Sequence, residues 1–115
     1  MPARIFTFPK RVRLRKRREF LAVQNAGERV NGRHFLALVK RGGSGRVGIT
    51  VSKKVGNSVT RNRIKRLVRE FIRTSGWVPD TADVVIIAKR TAAGLAGYHE
   101  VARDLEQMRG RVARC

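Results

Sequence analysis

Apolar and polar positions recur at helical spacing between residues 58 and 75, where the chain reads SVTRNRIKRLVREFIRTS. The apolar positions follow an i, i+3, i+4, i+7, i+8 pattern, which at about 100° per residue covers a sector of roughly 140°. They are Ile64, Leu67, Val68, Phe71 and Ile72. Asn57 or Ser58 is suited to cap the start of this segment, and Gly76 is suited to end it. The pattern predicts a helix over 58–75 that packs one face into a core.

Two segments upstream alternate in the way that strands do. Residues 34–40 (HFLALVK) and 46–52 (RVGITVS) are joined by a glycine-rich loop at 41–45, which predicts a hairpin. One face of the pair carries Phe35, Ala37, Val39, Val47, Ile49 and Val51. The other face carries Leu36, Leu38, Thr50, Ser52 and Lys54. This second set mixes apolar and polar side chains, as an open sheet face does.

The remaining elements are read from shorter patterns. A first helix is predicted over Lys16–Ala26 and a last helix over Tyr98–Arg109. The wholly apolar run VVIIA at 84–88 is typical of a central strand. Residues 77–80 are expected to form a turn, and the small residues at 91–97 a loop.

Together these elements indicate an α/β fold in the order α-β-β-(β)-α-β-α, with one optional strand before the basic helix. We expect an α+β sandwich with helices over one face of a small mixed sheet. Strand 46–52, helix 58–75 and strand 84–88 form a βαβ crossover, and such crossovers are right-handed in about 98% of cases. Residues 1–14 are expected to form a basic N-terminal arm, and residues 15–115 a single α/β domain.

Positive charge is concentrated in the first two thirds of the chain. The net charge is +19, and residues 1–75 hold 21 Lys and Arg against 3 Asp and Glu, whereas residues 76–115 hold 6 against 5. Five side chains of the 58–75 helix point away from its apolar face, namely Asn62, Lys65, Arg66, Arg69 and Arg73. A helix with so much positive charge needs a polyanionic partner, and its arginine-rich composition favours folded RNA.

Acidic and histidine residues are too few and too scattered to predict an active site. A protein nuclease generally needs carboxylates that hold metal ions, or a histidine pair for acid–base chemistry. The basic part offers only Glu19, Glu28 and Glu70, and we expect Glu70 to form a salt bridge with a neighbouring arginine. His34 and His99 fall on different elements. We therefore expect a binding protein with no catalytic residue and no metal site of its own.

Cysteine content and hydropathy limit the cellular compartments in which the protein is expected. The one cysteine, Cys115, allows neither an internal disulfide nor a cysteine-based zinc site, which fits a reducing cytoplasm. No segment resembles a signal peptide or approaches the ~20 apolar residues of a membrane span. A membrane-active basic helix is disfavoured because the core needs its apolar face. The expectation is a cytoplasmic protein without membrane contact.

One block of sequence resembles a known family. Residues 46–73, RVGITVSKKVGNSVTRNRIKRLVREFIR, are similar to the core of the bacterial ribonuclease P protein subunit. The hallmark is Arg61-Asn62-Arg63, preceded by Ser52-Lys53-Lys54 and a Gly56-Asn57 turn. The resemblance extends to residues 13–20, 33–39 and 83–90 and to the last helix. It implies a left-handed crossover around the basic helix, against the general rule.

The resemblance also implies a function. Such a protein pairs with a catalytic RNA, and together they remove the 5′ leader from precursor tRNA, with Mg²⁺ held largely by the RNA. The protein alone is not expected to cleave, and no further protein partner is required. Ribozyme contacts are implied for Arg61, Asn62, Arg63, Lys65, Arg66 and Arg69. A cleft for the single-stranded leader, between the first helix and the open sheet face, is implied for Phe20, Leu36, Leu38, Thr50 and Lys54.

An alternative is a basic ribosomal protein of similar α/β fold. It explains the size and the charge equally well. It does not explain the ordered SKK, GN and RNR block. The resemblance therefore favours the ribonuclease P protein subunit.

Overall fold

Three helices and four strands make up the part of the chain that the computed structural model describes, which is residues 17–43, 45–78, 81–95 and 97–114. The helices are α1 (Arg17–Ala26), α2 (Ser58–Ser75) and α3 (Tyr98–Arg114), with a 3₁₀ helix at Arg90–Gly94. The strands are β1 (Glu28–Asn31), β2 (Phe35–Arg41), β3 (Val47–Thr50) and β4 (Ala82–Ala88). The expected arm at residues 1–14, the predicted first helical residue Lys16 and turn residues 79–80 lie outside the described residues.

The strands form one mixed sheet in the order β1-β2-β4-β3. β2 is antiparallel to both β1 and β4, whereas β3 is parallel to β4. The prediction of a central strand at 84–88 is confirmed, but the predicted hairpin is wrong because β4 lies between β2 and β3. The apolar run at 84–88 of β4 suits a position that is buried on both faces. The loop after β2 instead bonds to the start of β4, where Gly42 N and Gly43 N donate to Thr81 O at 2.9 and 3.1 Å.

Helix α2 begins and ends where the sequence predicts. Asn57 caps its start, because the side-chain Oδ1 accepts a hydrogen bond from Thr60 N at 2.9 Å. Gly76 ends it in the left-handed region at φ 65°, which favours glycine. α2 connects the parallel strands β3 and β4, as a crossover must, and its left-handedness stays a prediction of the resemblance.

Helices lie on both faces of the sheet, and not on one as expected. α2 and α3 enclose the main core on one face, where Ile64, Val68, Val101 and Leu105 are all fully buried. α1 packs on the other face through a smaller cluster of Val23, Leu38 and Val85. The small cluster covers only part of that face, because α1 is 10 residues long.

Other differences from the prediction have local causes. β1 escaped notice because Val30 is its only buried residue, so the strand has no readable alternation. α3 continues past Arg109 and Gly110, since Val112 is buried in the core and anchors the last turn. The predicted loop at 91–97 contains most of the 3₁₀ helix, where Ala92 is buried.

Candidate nucleic-acid interface

The solvent-facing side of α2 carries a basic strip. Asn62, Arg66 and Arg69 are exposed, and Arg61, Arg63 and Lys65 are half-buried. A concavity of about 620 Å³ on this side is lined by Val59, Asn62, Arg63, Lys65, Arg66 and Arg69. The structure thus brings five of the six predicted ribozyme-binding side chains around one concavity, and Arg61 is not among its lining residues. Several guanidinium groups around one concave surface suit the phosphates of a folded RNA.

Arg63 has a second contact that the sequence did not indicate. Its Nη2 donates a hydrogen bond to the backbone oxygen of Leu95, which is buried just after the 3₁₀ helix. A guanidinium has five N–H donors, so donors remain for the strip. Arg63 therefore holds the segment before α3 in place as well as lining the concavity.

Val59 belongs to the same surface and was missed in the sequence. It is 74% exposed and lies three and four residues before Asn62 and Arg63, on the same side of the helix. Val59 carries no charge that would mark it as part of the strip, although its helical spacing places it there. An exposed valine in a basic strip offers an apolar contact to a ribose or base edge.

The opposite face of the sheet carries an open row of side chains across the four strands. The register pairs Asn31 with Leu36, Leu36 with Ile87, and Ile87 with Thr50, and paired residues point to the same side. Leu36, Ile87 and Thr50 are half-buried, and Asn31 is exposed. The open row (Asn31, Leu36, Ile87 and Thr50) is thus accessible beside α1. Leu36 and Thr50 were predicted here, whereas Asn31 and Ile87 were missed.

Leu38 lies in the row of the sheet next to the open row, and it is not accessible. It pairs with Val85, and with Val23 of α1 these two form the small core cluster. Leu38 is only 5% exposed. Its burial under α1 argues against the predicted contact with a leader and gives Leu38 a role in supporting the helix.

Phe20 lies beside the open row, and Lys54 follows Thr50 by four residues along the chain. Phe20 is half-buried and packs against the small cluster together with Leu36 and Ile87. Lys54 is exposed in the turn after β3. An aromatic ring and a lysine beside an apolar row are the groups that hold bases and phosphates of a single strand.

Histidines do not come together in the structure. His34 Nδ1 is 2.9 Å from Thr91 Oγ1. His99 is exposed on α3, where its ring packs edge-on against Tyr98 with centroids 5.9 Å apart. The structure therefore offers no histidine pair for acid–base chemistry within the described residues.

Carboxylates serve structural contacts. Asp104 is buried and accepts hydrogen bonds from the backbone N–H groups of Arg33 and His34 at 2.9 and 3.0 Å. Glu70 forms the expected salt bridge, with Arg73 as its partner. Within the described ranges no three His, Cys, Asp or Glu side chains are grouped so that they could hold a metal ion. None of the helices in the described part is long and apolar enough to span a membrane.

The family model described as Ribonuclease P matches residues 8–113. The chain is 42% identical over 107 residues to the "Ribonuclease P protein component" of Citrifermentans bemidjiense, with 91% of each chain covered. The RNase P protein from Thermotoga maritima has a similar structure, with a TM-score of 0.75 at 31% identity over 86% of this chain and 96% of that one. The Staphylococcus aureus RNase P protein has a TM-score of 0.76 at 29% identity, over 90% and 95% of the two chains.

Proposed function

We infer the function of this chain from the premise that it belongs to the ribonuclease P protein family. As a protein component of ribonuclease P it acts with the RNA subunit in 5′ processing of tRNA, and the endoribonuclease is the holoenzyme. Two surfaces, the basic strip of α2 and the open row, are available to the catalytic RNA and to precursor tRNA.

We propose that the basic strip of α2 binds the catalytic RNA. The supporting observation is the concavity that Asn62, Arg63, Lys65, Arg66 and Arg69 line together with Val59. Arginine forks contact phosphates in pairs, and a dense row of positive side chains suits the closely spaced phosphates of a folded RNA. Arg61 adds charge beside the strip. The binding is strongly salt-dependent because each neutralised phosphate releases counterions.

We propose further that the open row holds the 5′ leader of precursor tRNA. Leu36, Ile87 and Thr50 are uncharged and half-buried, so they suit the faces of bases and riboses better than phosphates. Phe20 on α1 supplies a ring for stacking, and Lys54 supplies a charge for the backbone. The α2 strip and the open row lie on opposite sides of the sheet, so the two RNAs do not compete for one surface.

The chemistry of cleavage belongs to the RNA in this proposal. Within the described residues no three His, Cys, Asp or Glu side chains are grouped so that they could hold a metal ion. We propose that Mg²⁺ is held largely by the RNA subunit. We also propose a cytoplasmic location, where precursor tRNA is processed. The ribosomal-protein alternative has no observation in its favour once the family is known.

Reconstitution tests this function. The purified protein alone is expected to leave precursor tRNA intact, whereas the protein with its catalytic RNA cleaves at the mature 5′ end at a Mg²⁺ concentration too low for the RNA alone. Cleavage is followed on a gel with 5′-labelled substrate. A mutant RNA that cannot cleave is the control. Cleavage by the RNA-free protein, abolished by substitution of a single carboxylate, would contradict the proposal.

A further inference from the structure

A bridge of charged groups joins α1 to the sheet. Arg46, the residue before β3, places Nη1 3.0 Å from Glu19 Oε2 on α1 and Nη2 3.3 Å from Asp83 Oδ2 on β4. One guanidinium therefore contacts two carboxylates from two different elements, each through its own terminal nitrogen of the planar fork. The side chains of Arg46 and Glu19 are 33% and 25% exposed, so the bridge is partly shielded from water.

The sheet end of this bridge is firmly held. Asp83 is 5% exposed, and its Oδ1 accepts a hydrogen bond from Arg46 N at 3.1 Å. Gly43 packs so closely that a Cβ there would lie 2.5 Å from Asp83 N. The hydrogen bond to Asp83 raises the pKa of Arg46, against the lowering effect of partial desolvation. Arg46 is thus held firmly against Asp83 of β4, and its guanidinium holds Glu19 in turn.

The other end of α1 is anchored in a different way. Gly27 N donates to Val23 O at 2.7 Å, and a Cβ on Gly27 would lie 3.0 Å from Val39 N on β2. Val23 is buried under the helix against Leu38. Glu19 lies eight residues before Gly27, about 12 Å along the axis at 1.5 Å per residue. Phe20 packs against the small cluster at this end of α1, and the contact between Glu19 and Arg46 adds a polar tie to the same turn.

We propose that Arg46 is a positioning residue for the leader: through Glu19 it fixes the first turn of α1, and with it Phe20, beside the open row. Phe20 directly follows Glu19, so a movement of this turn displaces the ring. Arg46 need not touch the RNA, because its effect is to hold the cleft in its binding shape before the leader arrives. This inference rests on the proposed function, in which the leader lies along the open row.

Glu19→Gln is the decisive variant because two explanations predict opposite changes in the affinity for the leader. The substitution removes a negative charge near an anionic leader, so electrostatics alone predicts tighter leader binding. Loss of the bridge predicts weaker binding, by about 1.5- to fivefold for one partly exposed charge pair. The measured quantity is the ratio of the holoenzyme's Kd for mature tRNA to its Kd for precursor tRNA. This ratio isolates the leader.

Glu106→Gln is the matched control. It makes the same chemical change in a surface ion pair on α3, where Glu106 Oε1 lies 2.7 Å from Arg109 Nε. Arg46→Lys is a second variant, which keeps the charge but replaces the two contacting nitrogens Nη1 and Nη2 by a single one on a shorter side chain. We expect both Glu19→Gln and Arg46→Lys to lower the ratio, with unchanged affinity for mature tRNA and catalytic RNA, and Glu106→Gln to leave it unchanged.

Each other result decides against the inference. An unchanged or raised ratio for Glu19→Gln shows that the bridge does not position the leader. An equal loss of affinity for every RNA, with a lower Tm, shows a purely structural role. Thr50→Asp, which places a negative charge in the open row, distinguishes a failure of the bridge from a failure of the proposed leader cleft. If it lowers the ratio while Glu19→Gln does not, only the bridge is wrong; if neither does, the leader cleft itself is wrong.

Discussion

Replacing Arg66 and Arg69 together by alanine weakens binding of the catalytic RNA by roughly 100-fold. Each arginine removed takes away charge-assisted hydrogen bonds to phosphate, worth about 1.5 kcal/mol at the lower end for a charged group. Both side chains are exposed on α2, so the fold does not depend on them. The slope of log K against log salt should become shallower by about one for each phosphate that the variant no longer neutralises. Titration of labelled catalytic RNA at several salt concentrations measures both quantities.

The matched control removes the same charge elsewhere. Arg90 and Arg103 are also exposed, one on the 3₁₀ helix and the other on α3. Their double alanine variant should weaken binding by less than about fivefold, the part due to net charge alone. Equal losses for the two double variants would contradict a localised docking surface. Arg61 and Arg63 are a poorer pair for this test, because Arg63 also bonds Leu95 O and its removal disturbs the fold.

Trp77→Ala is expected to lower the free energy of unfolding by about 3–5 kcal/mol, the range for a large aromatic side chain removed from a core. Trp77 is 2% exposed, directly after the glycine that ends α2. Its Nε1 donates to Leu105 O of α3 at 2.7 Å. The side chain therefore ties the end of α2 to α3, and its removal opens a cavity between them. Denaturant unfolding followed by circular dichroism measures the change.

Trp77→Phe separates the two contributions of this residue. Phenylalanine keeps most of the buried ring and lacks the hydrogen bond, so we expect a decrease of about 1–2 kcal/mol in the free energy of unfolding. RNA affinity measured well below the unfolding midpoint should be unchanged in this variant, since Trp77 lies beyond the end of α2 and is not among the residues that line the concavity. A decrease smaller than about 1 kcal/mol for Trp77→Ala would contradict the role given to Trp77 in the core.

Local signals explain why α2 could be predicted from the sequence and the sheet order could not. The signals that define α2 all lie in or next to the helix. They are the capping Asn57, five apolar positions at helical spacing and the terminal Gly76. Strand order depends on pairings between distant segments, and nothing in residues 34–52 reveals that β4 will separate β2 from β3. Both strands were identified, but short glycine-rich loops suggest hairpins even when the chain crosses to a non-adjacent strand.

The functional site was likewise predicted where the signal is local and missed where it depends on distant segments of the chain. Alternation places Leu36, Leu38 and Thr50 on one face correctly, since strand geometry has a period of two. It cannot tell that α1 covers Leu38 and leaves Leu36 accessible. Ile87 was hidden because a wholly apolar strand gives no sign of which side chains remain open. The bridge of Arg46 joins partners 27 and 37 residues away, and no local pattern marks such pairs.

Site-specific crosslinking tests the central claim most directly, namely that the α2 strip and the open row bind different RNAs. Cys115 is the only cysteine, so Cys115→Ser gives a background in which one new thiol carries a photoreactive group. The thiol is placed on the strip by Arg69→Cys, and beside the open row by Ser52→Cys, which is exposed just after Thr50. In the complex with catalytic RNA and precursor tRNA, the probe at 69 should label the catalytic RNA and the probe at 52 the 5′ leader. Labelling of the same RNA from both positions, or of the leader from position 69, would contradict the account.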